Sequence, residues 1–400
     1  MRSAWIVILS GALIVSISMG VRQTFGLFLR PVTMDLQIGR EVFGLALAIQ
    51  GLVWGLASPF AGAISDRYGT GLVLAGGGVL FTAGMLLASV ADTPLMLYLS
   101  YGILIGLALG ATTFGVIFGA VGRVVSPERR SAIFGLVGAG GSFGQFVVVP
   151  VSQGLIGGYG WVTALVAMAG LTSLMIVFAV GLAGRPATGG LGSAPDQTLR
   201  DALREAWALP SYRLLVAGFF VCGFHLAFVG AHLPAYLRDA GLPAETGAQC
   251  LALIGLFNMA GSYLFGVWGG RHSKKNLLAA IYFGRALLFA GFFVFPLSQA
   301  SALVFAAGLG FLWLGTVPLT SGLVAHFFGL RHMSMLYGLV FVSHQVGGFV
   351  GAWLGGRVYD LTGNYDAIWY ASMALGLAAA VLHWPIREVP VARLMTPRAA

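Results

Sequence analysis

The sequence predicts an all-α membrane protein, with twelve transmembrane helices in two pseudo-symmetric six-helix bundles, and three observations predict it. Hydrophobic residues make up 58% of the 400 positions and charged residues 9%, with a mean hydropathy of +0.90. A water-soluble domain carries roughly 25% charged residues, so a soluble surface cannot be built from this chain and the lipid bilayer is its main solvent. Apolar stretches long enough to cross a hydrocarbon layer recur from end to end, separated by short charged loops. The second half of the chain also repeats features of the first.

A crossing needs about twenty apolar residues. That rule places helices at 5–29, 42–64, 71–91, 95–121, 131–155, 160–184, 213–237, 246–270, 276–297, 301–327, 334–357 and 366–386. The first, preceded by Arg2, resembles a secretory signal as far as Gly20, but the pattern runs on past Arg22 and many spans follow it. Helices two and three are joined by GAISDRYGTG, Gly62 to Gly71. Gly102, Gly106 and Gly110 on helix four, Gly140 and Gly144 on helix five, and Gly347, Gly351 and Gly355 on helix eleven are spaced by four, which lets helices approach closely in lipid. Pro59, Pro150, Pro234 and Pro318 mark bends in or near their spans. The longest polar stretch, 185–212, opens with RPATGGLGSAPDQ and reads as a linker between an N-terminal bundle, 1–184, and a C-terminal bundle, 213–390, with 391–400 as a tail. Its second part, TLRDALREAWALP, has the spacing of a short amphipathic helix on the membrane surface.

A net charge of +9 invites a nucleic-acid reading, but the basic residues are scattered over short loops rather than clustered, and no nucleic-acid partner is expected. On the twelve-helix map, one side collects sixteen of the twenty-two Lys and Arg residues, among them Arg67, Arg123, Arg129, Arg130, Arg271, Lys274, Lys275 and Arg331. The opposite side has Arg30, Arg40, Arg238 and Arg357. By the positive-inside rule both termini are cytoplasmic, in a bacterial inner membrane. The two cysteines, Cys222 and Cys250, fall inside spans as small apolar residues. No metal site, cofactor or catalytic set is expected: GAGGS in helix five lacks the ending of a phosphate loop, and HExxH is absent. The protein is expected to be a monomer and not an enzyme.

The halves resemble each other. GVWGGRHSKK, Gly266 to Lys275, follows helix eight as GAISDRYGTG follows helix two, with Arg67 and Arg271 in register. FGLVGAGGSFGQF, Phe134 to Phe146, aligns with YGLVFVSHQVGGF, Tyr337 to Phe349. Paired halves of this kind are typical of secondary transporters, whose substrate site lies at the repeat interface. These residues resemble the major facilitator superfamily, whose loop motif is matched by Gly62, Asp66, Arg67 and Gly69, with Thr70 and Gly71 in place of its basic pair. A narrower similarity is to the monocarboxylate-transporter branch. It rests on GVRQTFGLFL around Arg22, SPERRSAIFGLVGAGGSFGQ, the GYGW at Gly158 to Trp161, and YDLTGNYDAIWYASM at Tyr359 to Met373. Asn258 and Ser262 stand where animal members of that branch carry an Asp and an Arg on helix eight. The resemblance implies the major facilitator fold and transport by alternating access, with helix one lining the central cavity.

Only Arg22 and Arg285 bring charge well inside a span, and all thirteen acidic residues fall in loops or at span edges. A buried guanidinium without a partner is costly, so an anionic substrate is the expected countercharge, gripped through its carboxylate by the planar fork. Arg22 with Gln23 is the leading candidate; the alternative is an arginine satisfied by backbone carbonyls or water near the outer end of its span. Arg285, on a helix that usually packs at the periphery, reads as a structural arginine on helix-end carbonyls. The uncharged polar candidates are His225 and His232 on helix seven, Asn258 and Ser262 on helix eight, Trp313, Thr316 and Thr320 on helix ten, and Ser343, His344 and Gln345 on helix eleven. With no embedded carboxylate, a histidine is the natural titrating group for proton-coupled transport, each histidine being otherwise a packing residue. His326 and His332 read as residues at the cytoplasmic end. The expected function is secondary transport of a small organic anion, a monocarboxylate, with protons as a coupling partner. The alternatives are proton-driven efflux of a hydrophobic compound and a receptor without transport.

Overall fold

The computed structural model describes residues 4–125, 127–183, 198–329 and 333–395. Arg2, residues 185–197 of the linker, Arg331, His332 and Arg398 lie outside the described residues, as do the side chains of Asp66, Arg123, Arg129 and Arg130. The described elements are all helical. Eleven stretches are long and apolar enough to cross a membrane, and one of them, Leu136–Leu182, has 47 residues. At about 1.5 Å per residue that stretch would run roughly 70 Å, more than twice the hydrocarbon thickness. It is two crossings. The chain turns at Gly160, whose φ of 83° suits a residue without Cβ. Gly140 packs on Ala12 and Ser16 of the first crossing while Gly181 packs on Ser10, so the stretch doubles back to the same two turns of its neighbour.

Among the described residues twelve crossings result, each close to its expected span. The structure carries several further at the face opposite the termini: the first ends at Asp35, the seventh at Asp239 and the eleventh at Thr362. Polar residues can finish a helix once it has left the hydrocarbon. Three crossings are interrupted: the first at Gln23–Thr24, the fourth at Thr113 after a π-helical stretch Tyr98–Leu104, and the tenth between Phe311 and Thr316. Membrane-embedded backbone tolerates this only where freed groups find partners. Thr24 and Thr113 donate to the carbonyls of Val21 and Leu109, each at 2.7 Å, and Asn258 Oδ1 accepts from Leu314 N at 3.0 Å.

The four-spaced glycines are where helices touch. Gly102, Gly106 and Gly110 lie against Ile49, Val53 and Ala57 of the second crossing. A Cβ on Gly144 would collide with the Ser16 carbonyl, and one on Gly347 with that of Phe220, so the first and fifth crossings pack as the seventh and eleventh do. The repetition seen in sequence is therefore repeated in packing. Before the seventh crossing, Leu199–Ala208 forms a short helix whose N-cap, Thr198, accepts from Asp201 N; Ala202 and Ala206 are buried and Trp207 is exposed.

Candidate functional site

Arg22 is the last residue before the break in the first crossing, where the helix axis is free to redirect its side chain. Its Nη1 donates to Gln23 Oε1 at 3.1 Å, its Cζ stands 5.0 Å from the Trp54 ring, and Nε has no partner. Among the described residues no carboxylate reaches it. Gln23 passes the contact to the fifth crossing, donating to Gln145 Oε1 at 2.9 Å, and Gln145 donates to the Leu251 carbonyl of the eighth at 2.6 Å. Trp54 is fixed by its Nε1 bond to Thr113 Oγ1, 3.0 Å, and meets Phe341 of the eleventh crossing edge to face at 5.6 Å. Phe341 stacks on His344 at 5.5 Å. An arginine of one half and a histidine of the other are thus joined across the interface by an aromatic bridge.

Several predicted residues gather at that interface. His344, part-exposed, faces Gln345 Oε1 through Nδ1 at 3.1 Å, and Gln345 Nε2 donates to the Gly51 carbonyl of the opposite half at 2.6 Å. Asn258 donates to Ser142 Oγ at 2.9 Å, crossing from eighth to fifth, and accepts from Ser262 Oγ at 3.0 Å. Ser142 and Gln345 occupy matching places in the aligned stretches of helices five and eleven, and each makes the half-to-half bond of its own interface. Gln145 and Trp54 belong to this group although sequence did not single them out. An amide in an otherwise apolar stretch was the available signal for Gln145; Trp54 gave none.

The others lie elsewhere. Arg285 is fully buried inside the C-terminal half, where Nε and Nη2 donate to the Leu312 carbonyl at 3.2 and 2.8 Å and Nη2 also to that of Trp313. It satisfies the carbonyls freed by the break in the tenth crossing. Cys222 Sγ lies 3.6 Å from Arg285 Nη2 and 3.3 Å from Thr316 Oγ1 and also faces His344, so Trp313 and Thr316 are grouped with Arg285, on the far side of His344 from Arg22. His225 and His232 do share a face, but it looks into the C-terminal half: His225 Nε2 pairs with the Ser372 carbonyl at 2.9 Å, His232 Nε2 with that of Ala352 at 2.7 Å and Nδ1 with Tyr365 Oη at 3.2 Å. Of the loop motif, Gly69, with φ 105°, is the hinge between crossings two and three; Gly62 has open space around it, and Arg67 is exposed over Tyr68. Arg271 is exposed in the equivalent turn. Beside that turn Glu388, just past the twelfth crossing, accepts from Ser273 Oγ at 2.7 Å and Lys275 N at 2.8 Å.

At the face opposite the termini the halves are latched. Asp239 binds Arg40 at 2.6 Å and Arg30 at 3.3 Å, and Glu41 binds Arg357 at 2.9 Å. Arg40 also lies 3.7 Å over the Tyr359 ring and donates to Tyr365 Oη at 2.9 Å, while Asp360 accepts from the backbone N of Arg40 and Glu41 at 3.0 and 2.8 Å. Below this, the first and seventh crossings meet backbone to backbone at Gly26 and Gly230. Nearer the termini, a Cβ on Gly62 of the second crossing, Gly138 of the fifth or Gly338 of the eleventh would meet nothing within 4 Å.

The family model of the Major Facilitator Superfamily matches residues 11–352. The chain belongs to this superfamily. Monocarboxylate transporter 13 of Rattus norvegicus is 30% identical over 387 residues, covering 94% of this chain and 87% of that protein. An uncharacterized MFS-type transporter of Escherichia coli (strain K12), YhjX, is 24% identical, with 86% of each chain covered. The crystal structure of a D-xylose-proton symporter shares the fold, with a TM-score of 0.70 at 15% identity over 97% of both chains. The molecule is a major facilitator transporter and not an enzyme; Arg22 makes its own contacts within the N-terminal half, and the two halves are closed on each other at the latched face.

Proposed function

We propose that this transporter is a secondary active carrier of a small organic anion of the monocarboxylate class, working by alternating access about Arg22. The observation that carries the reading is the guanidinium itself. It stands at the break of the first crossing with only a neutral amide and an indole face as company, so a carboxylate entering between the halves completes a charge-assisted pair. The similarity to monocarboxylate transporter 13 supports the same class. Gln23, Gln145, Asn258, Ser262 and Gln345 supply amide and hydroxyl groups around the anion, and His344, on the wall opposite Arg22, is the histidine best situated to carry a coupled proton. The distribution of Lys and Arg supports cytoplasmic termini in a bacterial inner membrane, which makes the latched face external and this state inward-facing. The test is uptake into proteoliposomes of labelled solutes of three charge classes, with and without an inward proton gradient. Small carboxylates should enter and neutral or cationic solutes should not; uptake of a cationic dye with no carboxylate flux would overturn the reading.

A further inference from the structure

A cavity of about 200 Å³ opens at the latched face between the first, fifth, seventh and eighth crossings. Its lining includes Arg30, Arg238 and Gln153 and no carboxylate; Ala244, the first residue of the eighth crossing, brings the positive end of that helix to the rim. Two acids adjoin lining residues in sequence: Asp239 is divided between Arg30 and the closer Arg40, and Glu245 follows Ala244 in the first turn of the eighth crossing. Arg238 spends Nη1 on the neutral Leu242 carbonyl at a long 3.4 Å. Glu245 is exposed and outside the lining, so the lining cation without a carboxylate partner among the described residues is Arg238, and low-dielectric walls such as Ile156 and Pro234 focus its charge. Gly26 lines the cavity one helical turn along the chain from Arg22, and there its backbone packs on that of Gly230, closing the first crossing on the seventh.

We infer that this cavity is a second anion site, taking an oxyanion on a small apolar body between Arg30 and Arg238 before the closure at Gly26 opens toward Arg22. Two sources carry that chemistry: a carboxylate solute on its way in, or the phosphate of a lipid in the outer leaflet. The inference rests on the anion-transport reading only for the direction of travel; occupancy of the cavity stands apart from it.

Labelled benzoate serves as the probe, measured by equilibrium dialysis on purified protein in nanodiscs with and without phosphatidylglycerol. Arg22→Ala removes the central site, so benzoate bound by that variant reports the cavity alone. Adding Arg238→Ala to it should weaken the remaining binding at least about tenfold, the loss of a charge-assisted contact, with Arg238→Gln recovering little. If phosphatidylglycerol competes with benzoate in a manner that depends on Arg238, the resident oxyanion is a lipid phosphate. If Arg238→Ala changes neither benzoate binding nor the lipid effect, the cavity is not an anion site. Loss of all benzoate binding in Arg22→Ala alone also overturns the inference, whereas failure of wild-type carboxylate flux with Arg238-dependent binding intact removes the transport reading and leaves the second site standing.

Discussion

Replacing Arg22 with alanine separates a binding arginine from a structural one, because the two predict opposite signs for stability. In the empty protein the side chain keeps one hydrogen bond to Gln23 and one cation–π contact with Trp54. A hydrogen bond to a charged group contributes about 1.5–3 kcal/mol and a cation–π contact about 0.5–1 kcal/mol. Against these stands the several kcal/mol of desolvation that an ion taken out of water incurs. Arg22→Ala should therefore leave the ligand-free melting temperature unchanged or raise it, since no buried acid is orphaned. With a carboxylate bound the balance reverses. Truncating one partner of a buried, hydrogen-bonded charge pair costs about 2–5 kcal/mol, which at 1.4 kcal/mol per decade is a loss of about 30-fold to more than 1000-fold in affinity. Arg22→Lys keeps the charge but not the planar fork, and should fall between. Thermal unfolding of detergent-purified protein and counterflow of a labelled carboxylate in proteoliposomes read the two effects separately. A lower melting temperature with counterflow retained would show that Arg22 holds the fold together and would end the argument for anion selectivity.

Arg285→Met should do the reverse, lowering the melting temperature by leaving the Leu312 and Trp313 carbonyls unpaired at about 1–3 kcal/mol each; a thermal scan beside Arg22→Ala checks the contrast. Asp239→Asn removes the countercharge of both Arg30 and Arg40 and should raise the population open at the latched face about tenfold, measured as electron-spin distances between labels at the far ends of the first and seventh crossings. Gly26→Val places a branched side chain where a Cβ already collides with the Gly230 carbonyl, so it should hold that face open and stop counterflow while the protein still folds, as seen by solvent access to the same ends. His344→Gln should abolish the dependence of uptake on a proton gradient while exchange at equal pH persists; an unchanged gradient dependence would remove His344 from the coupling role.

The crossings and their turns were legible because hydropathy and turn chemistry are local. Arg22's isolation was legible too, since the positions of all thirteen acids on the span map can be read from sequence. The breaks in crossings one, four and ten were not: polar residues such as Arg22, Thr112 and Thr316 flank them, but polar residues also sit inside unbroken crossings, and only the partners of the freed backbone decide where a break is tolerated. Arg285 follows from that, because its carbonyl partners exist only once the tenth crossing has opened. The seven-residue spacing of His225 and His232 places them on one helix face, but periodicity fixes relative directions and leaves open which neighbour that face meets; here the two meet Ser372, Ala352 and Tyr365 of the same half. The latch escaped for a similar reason. Glu41 and Asp239 are visible at span edges, yet their partners come from the other half of the chain.

The contrast between a paired edge and an unpaired centre is what allows the state to switch. Arg357 and Glu41 keep side-chain exposures of 48% and 28%, so their pair is worth at most about 1 kcal/mol. The Arg40–Asp239 pair, at 10% and 26%, is drier and stronger, yet Asp239 can regain water when the face opens, so separation does not strand an ion in hydrocarbon. The latch as a whole is therefore a barrier of a few kcal/mol. Moving a two-state equilibrium from one side to the other needs about 5.5 kcal/mol of differential affinity, and an anion meeting Arg22 supplies about 2–5 kcal/mol of it. A carboxylate resident between the halves would have freed the anion's role to a fixed ion pair, with nothing left for a ligand to change. On the proposed reading, acids at the latched rim and none beside Arg22 among the described residues make the solute itself the missing ion, so binding at the centre and release at the edge become comparable terms of one equilibrium.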